Sequence, residues 1–290
     1  MQSYIKHGPE IFLFSLIFLF CTSIAVSAES EPIRFGVLSI APPSRIHLRW
    51  QPFVDYISSE LGQPIEIVVP RGFEKMKKAA AGGEVDFFYI NSHVFYRLKH
   101  DGKADGVLQM QNIEGKMTSR SEIFVRSDAG INKLEQLKGK SLAFVSPMGA
   151  GGYLAPRAYL YDRHISTKED LKEMFTRNLS TSMHKVLLGD VAAGAMCGVN
   201  FRLMKEKMNT GELKTIAVSD DYPENVIAAR KNLNPDLVEK FQQVVIDMPA
   251  SVKGKQVLEK MHNMKIQKFV AYDAGIEIIT ERLLRQGEFK

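Results

Sequence analysis

Short apolar runs alternate with helical patterns from Ile33 to His100, and this alternation limits most strongly what the chain can fold into. "IRFGVLSI" reads as a buried strand. "PPSRIHLRWQPFVDYISSELG" follows as a helix, opened by Pro42, Pro43 and Ser44 and closed by Gly62. Leu48, Phe53, Val54, Ile57 and Leu61 recur along it at helical spacing. "PIEIVVP" is the second strand. A helix from Phe73 to Ala81 ends at Gly82 and Gly83, and "EVDFFYI" is the third strand. "NSHVFYRLKH" starts another helix with Asn91 or Ser92 as its cap. This βαβαβ order implies a mostly parallel sheet covered by helices.

A second set of units follows. "SRSEIFVRSDAGI" reads as a two-sided strand leaving the first domain. "LEQLKGKSLAFVSP" gives a short helix, a glycine turn and a buried strand. A glycine loop and the helix "YLAPRAYLYDRH" come next. "TRNLS" is extended, "TSMHKVLLGD" helical, "VAAGAMC" a small-residue strand and "NFRLMKEKM" helical. "LKTIAVSDDYPENVIAARKN" forms two extended segments around Pro223, and the end is helical over 235–247, 251–261 and 274–284. The expected architecture is therefore α/β with two lobes. Residues 29–118 open lobe 1, 119–218 form lobe 2 and 219–290 return to lobe 1. Ligands favour such interdomain clefts and the carboxyl ends of parallel strands.

The N-terminus predicts export. Lys6 precedes the apolar run "IFLFSLIFLF", and "VSA" precedes Glu29, so residues 1–28 read as a signal peptide cleaved after Ala28. The run is short for a membrane span of about 20 residues, which disfavours an anchor. Cleavage leaves Cys197 as the remaining cysteine, so an internal disulfide is excluded. Net charge is +5 over 290 residues, with the cations spread along the chain. That pattern fits mild attraction of anions and no nucleic-acid partner.

Enzyme chemistry finds little support. The seven histidines make no HExxH and no i,i+4 pair, so no metal set is expected. No G-x-S-x-G elbow occurs, and Cys197 ends an apolar strand where packed thiols are inert. No cofactor motif occurs either. The loop of residues 146–152, "SPMGAGG", follows a strand and opens a helix, where freed backbone N–H groups and the helix dipole favour an anion. It is not a Walker loop, because Lys and Ser/Thr do not follow its glycines. The aromatic stretch "VDFFYINSHVFY" places Val85, Phe87 and Tyr89 in alternation with Asp86 and Phe88, either as core or as a cleft wall.

Four segments in order, "IRFGVLS", "VDFFYIN", "FVSPMGAGGYLAP" and "VLLGDVAAGAM", resemble the phosphonate/phosphite-type substrate-binding proteins of bacterial ABC transporters. The glycine loop is similar to that family's acidic-Pro-x-Ser-Thr-Ser-Gly-aromatic-x-x-Pro loop, keeping Pro147, Gly152, Tyr153 and Pro156. The resemblance covers nearly the whole mature chain. It implies a type II periplasmic-binding-protein fold, two α/β lobes closing by a hinge, and a small phosphonate-, phosphite- or phosphate-like anion delivered to an inner-membrane permease. The same fold serves sensing, so a membrane signalling protein is the alternative partner. A monomer is expected. The implied ligand-binding residues are Phe73, Tyr89, Asn91, Ser146, Gly149, Ala150, Gly151, Gly152, Tyr153, Ser180, Thr181 and Ser182. The sequence departs from the family where hydroxyls stand: Gly149, Ala150 and Gly151 replace Ser-Thr-Ser, Ser146 replaces the acid, and Ala192 replaces an Asp. The loop is thus expected to offer backbone amides and open space.

Overall fold

Two sheets with the same internal order organise the protein. The computed structural model describes residues 2, 31–38, 43–208 and 211–287. Apart from Gln2, the expected signal segment lies outside the described residues, as does Pro42. No described helix is long and apolar enough to cross a membrane.

The first sheet holds β1 (Ile33–Val37), β2 (Ile65–Val68), β3 (Phe87–Ile90), β4 (Ala104–Asn112), β12 (Val226–Arg230) and β13 (Ile266–Ala271), in the order β13-β4-β12-β3-β1-β2. The second holds β6 (Ser121–Arg126), β7 (Ser141–Phe144), β8 (Lys172–Phe175), β9 (Ala193–Cys197) and β10 (Leu213–Val218), in the order β10-β6-β9-β7-β8. Strands β1, β2 and β3 are parallel, as are β7, β8 and β9, while β12 and β6 run antiparallel to their neighbours. Two short strands, β5 (Thr118–Ser119) and β11 (Tyr222–Pro223), pair antiparallel where the chain leaves the first sheet and where it returns. This is the type II periplasmic-binding-protein arrangement.

Helices α1 (Pro43–Leu61), α2 (Phe73–Ala81) and α3 (Ser92–His100) follow the strands of lobe 1. Helices α4 (Ala155–Tyr161), α5 (Leu179–Leu187) and α6 (Gly198–Lys207) follow those of lobe 2, and α7 (Pro235–Asp247), α8 (Val252–Met261) and α9 (Gly275–Gln286) close the chain. An aromatic stack forms the main core. Phe87 lies on Phe241 at a centroid distance of 3.9 Å, and Phe35 packs on Trp50 and Phe53. Phe87 and Phe88 are both buried because helices cover both faces of the sheet.

Sequence and structure part in several places. Leu48 is exposed (77%), and the buried stripe of α1 runs through Ile46, Trp50, Phe53, Val54 and Ile57. Two residues beyond Ile46 is about 200° around a helix, so Leu48 cannot share its face. Strands β4, β8 and β13 have no clean apolar alternation. Gln109, Gln111 and Asn112 interrupt β4, and β8 reads "KEMF" with mostly exposed side chains. "TRNLS" only continues β8: the N–H groups of Thr176 and Arg177 donate to Phe144 O and Val145 O at 2.9 Å each, and α5 then starts at Leu179.

One buried carboxylate ties the first sheet together. Asp86 accepts from Arg34 N (2.9 Å), Arg34 Nε (3.0 Å), Arg34 Nη2 (2.9 Å) and Arg230 Nε (2.9 Å). Burial pushes its carboxyl up, but the bonds from Arg34 and Arg230 outweigh that and hold it below the usual range. Asp86→Asn is expected to cost about 2 kcal/mol at pH 7, since bonds to charged groups contribute roughly 1.5–3 kcal/mol. A lowered carboxyl stabilises above its unfolded pKa and ceases to as pH falls through its folded one. Urea unfolding of wild type and variant should therefore converge on acidification.

Candidate functional site

The carboxyl ends of the parallel strands in both sheets, with the paired crossovers, define the candidate site. On lobe 1, β3 runs into α3 through Asn91. Its Oδ1 accepts from Val94 N (3.0 Å) and caps the helix, while its Nδ2 donates to Met148 O (3.2 Å) in the glycine loop of lobe 2. The next two residues also reach outward. Ser92 Oγ donates to Pro223 O at 3.0 Å, and His93 meets the backbone of Gly149. Burial, with Arg97 nearby, lowers His93 to about 4, so its ring is neutral at physiological pH. The N-cap and the first two residues of α3 thus bind the opposite lobe and the return crossover.

Tyr89 is held on all sides. Its ring lies 4.7 Å from Trp50, its hydroxyl donates to Met110 Sδ (3.0 Å) and it accepts from Asn225 Nδ2 (2.7 Å). Burial pushes its phenol pKa up. Phe73 opens α2 and packs, half-buried, on the core beneath α3.

On lobe 2 the glycine loop is folded on itself. Met148 N donates to Ser146 Oγ (3.3 Å) and Gly149 N to Ser146 O (3.1 Å). A single π-helical turn, Ala150–Leu154, then leads into α4, a form common at functional positions. Its first N–H groups have no partner within the turn. Gly152 is half-buried with room beside it, whereas Ala150 and Gly151 are buried.

The expected open space at Gly151 is filled. A Cβ there would overlap the hydroxyl of Tyr222, which arrives from β11. Ser121 Oγ also donates to Gly151 O at 2.6 Å. The glycine therefore admits the return crossover against the loop. Tyr153 packs into the lobe 2 core: its ring lies edge-on to Phe144 (5.0 Å) and Phe175 (5.4 Å), and its hydroxyl bonds Arg157. Its neighbours are large and apolar, so the core takes the ring.

The segment 180–182 opens α5, which starts beside the strand end that leads into the loop. Asn178 caps α5 by accepting from Ser180 N (2.8 Å) and Thr181 N (3.2 Å). Ser180 Oγ bonds His184 Nδ1 (3.2 Å), Thr181 is exposed, and Ser182 Oγ is wholly buried with no hydrogen-bond partner among the described residues. The structure thus joins Asn91 to Met148 of the glycine loop, while Ser180 and Ser182 turn to His184 and to the lobe 2 interior.

Sequence reasoning passes over a polar knot at the crossovers. Tyr222 bonds the Cys197 thiol and the Ser119 hydroxyl, and Glu224 accepts from Ser119 Oγ and from Asn112 Nδ2 (3.0 Å). Glu224 is 8% exposed, and burial pushes its carboxyl up against the pull of Ser119 and Asn112. The signal lay in "DDYPEN", a polar, turn-rich stretch that looks like an ordinary loop. Two exposed arginines were also passed over. Arg71 precedes α2 and Arg177 precedes α5, the latter in the left-handed region at φ +61°. A shallow depression lined by Tyr161, Asp162, His164, Ser166, Glu169 and Asp170 sits beside the amino ends of β7 and β8, the edge opposite this site.

Two outcomes are expected here. Gly151→Ala should destabilise by about 2 kcal/mol, within the range of roughly 1–3 for overpacking, and Tyr222→Ala in the same chain should relieve the clash. Urea unfolding should then give a coupling of at least about 1 kcal/mol, and strict additivity would contradict the contact. A carboxyl raised on folding stabilises fully below its unfolded pKa, and that stability is lost over the interval from there up through its raised folded pKa. The thermal midpoint of wild type relative to Glu224→Gln should therefore fall across that interval.

Residues 35–274 match the protein family described as "ABC transporter, phosphonate, periplasmic substrate-binding protein". The phosphonates-binding periplasmic protein of Escherichia coli is 24% identical over 259 residues, 86% of this chain and 75% of that one. Among solved structures, PhnD1 from Prochlorococcus marinus in complex with methylphosphonate superposes with a TM-score of 0.77 at 14% identity, covering 89% of this chain and 98% of that one. XAC2383 from Xanthomonas citri bound to ATP gives 0.77 at 18% identity, with the same two coverages.

Proposed function

This chain belongs to the family of periplasmic phosphonate substrate-binding proteins of ABC transporters, and from that premise we propose that it captures a small phosphonate-, phosphite- or phosphate-like oxyanion between its lobes. The family is one of binding components, not of enzymes. The observation that carries the ligand reading is the contact of Asn91 with the glycine loop across the cleft, at the carboxyl ends of both parallel sets. An anion placed there meets the opening N–H groups of the π-helical turn, where donors converge and the helix dipole is favourable. With no Ser or Thr in residues 149–151, backbone amides and neighbouring polar groups supply the donors.

Closure follows from the connections. Among the described residues the chain passes between the two sheets through β5 and β11, so small changes at 118–119 and 222–223 swing one lobe against the other. The ligand stabilises the closed arrangement by touching both lobes, and the open one cannot offer those contacts. In this reading residues 29–118 and 219–290 act as one lobe and 119–218 as the other. Residues 1–28 direct export, the mature chain works as a monomer, and the closed form is what a membrane permease recognises.

A thermal-shift series with phosphate, phosphite, methylphosphonate, sulfate and acetate tests this. A ligand at 100 times its Kd stabilises the native state by about 2.7 kcal/mol, a shift of several degrees. Phosphonate-type anions are expected to give it and acetate is not. No shift with any of the tetrahedral oxyanions would overturn the ligand reading.

A further inference from the structure

The two lobes repeat each other strand for strand. Reading inward from one edge, lobe 1 runs β2, β1, β3, β12, β4 and lobe 2 runs β8, β7, β9, β6, β10. In this correspondence β8 matches β2, and α5 matches α2, both helices being nine residues long. One residue type recurs at the equivalent point. Arg71 stands directly before Gly72, the N-cap of α2, and Arg177 directly before Asn178, the N-cap of α5.

These arginines share a place at strand-to-helix junctions, whereas the exposed Arg45, Arg49 and Arg282 lie within helices. Arg34, Arg120, Arg126, Arg202 and Arg230 all pair with carboxylates. Arg71 and Arg177 are exposed and, among the described residues, have no ion-pair partner. Each follows a strand at its carboxyl end, on the cleft side of its sheet. Strands β2 and β8 are also the ones farthest, within their sheets, from the strands that the crossovers feed. Hinge motion therefore moves these two positions through a long arc. At Arg177 the backbone adopts φ +61°, a conformation that Gly or Asn takes more readily, yet the position holds an arginine.

We propose that Arg71 and Arg177 form an anion clamp, one guanidinium on each lip of the cleft, that closes on an oxyanion carrying two negative charges. The proposal rests on the reading of the cleft as an anion site. Two like charges oppose closure of the empty protein, and a dianion between them removes that opposition. A planar guanidinium offers two parallel donors to a tetrahedral oxyanion, and one from each lobe makes binding and closure a single event. A monoanion satisfies only one arginine, so the clamp selects phosphate, phosphonate or sulfate dianions over their methyl esters.

The test uses Arg71→Gln, Arg177→Asn and the double variant. Asn suits the left-handed backbone at 177, and both sites are exposed, so thermal stability without ligand should stay at the wild-type value. Binding of phosphate, methylphosphonate and sulfate is measured at pH 8 and low ionic strength, beside dimethyl phosphate and methyl sulfate. Each single change should weaken dianion binding by about tenfold or more, as expected for a bond to a charged group. The double variant should lose the preference for dianions over esters. Arg177→Glu should make the unliganded protein more compact by small-angle scattering, because opposite charges then face each other. If wild type binds none of these oxyanions, the anion reading falls and the clamp with it. If wild type binds dianions and the variants match it in affinity and preference, or Arg177→Glu leaves the scattering unchanged, the clamp alone is overturned.

Discussion

Everything in this molecule hangs on the antiparallel pairing of Thr118–Ser119 with Tyr222–Pro223. It is a short ribbon, yet both sheets are completed through it. Strand β12 enters the first sheet from the second lobe's end of the chain, and β6 enters the second sheet from the first lobe's end. Each therefore runs antiparallel to both strands that flank it. A lobe cannot drift away without breaking this ribbon or unpairing a central strand. The fold thus confines motion to a few backbone angles, while the aromatic core of lobe 1 and the separate core of lobe 2 stay intact.

The glycine loop takes its composition from this ribbon. Tyr222 can lie across the opening of α4 only because residue 151 has no side chain. Its ring also belongs to an apolar cluster in which Ala150, Leu154 and Ala155 of the loop region meet Leu283 and Leu284 of α9. The C-terminal helix, which follows the edge strand of lobe 1, thereby packs on both the crossover and the first helix of the loop. A loop that touches hinge and terminal helix at once cannot carry large side chains. Small residues at 149–151 meet that packing constraint, and hydroxyl donors are lost at those positions as a result.

Much of the fold was legible because burial imposes periodicity. Parallel strands covered on both faces read as unbroken apolar runs, and the βα alternation shows directly in "IRFGVLSI", "PIEIVVP" and "EVDFFYI". What stayed hidden were strands whose place is fixed by neighbours. Strand β4 holds its position between β12 and β13 despite Gly106, Gln109 and Gln111, because hydrogen bonding to two flanking strands needs no apolar face. Within α1, composition pointed to Leu48, while geometry puts Trp50 under the sheet. The candidate site was legible to the same degree. Asn91 and the loop could be placed by their position after strands. The direction of Tyr153, the contact of Tyr222 with Gly151, and the like placement of Arg71 and Arg177 depend on partners distant in sequence.

The distribution of charge around the cleft gives the arrangement its direction. At the crossovers a buried acid, Glu224, is held by a hydroxyl and an amide, and among the described residues no cation pairs with it. At the far edges of the sheets stand the exposed guanidiniums of Arg71 and Arg177, with no ion-pair partner among the described residues. Two unit charges about 8 Å apart at an effective dielectric near 20 interact by about 2 kcal/mol. An anion held at the glycine loop is thus pulled toward the edges, and an ionised Glu224 disfavours its moving further onto the ribbon. Charge placed beside the ribbon would turn little of a ligand's binding energy into rotation, since leverage there is small. Charge placed at the edges acts over the longest arm that each sheet provides. A shallow energetic difference in anion position therefore becomes a large difference in lobe position, which is the quantity a membrane partner can sense.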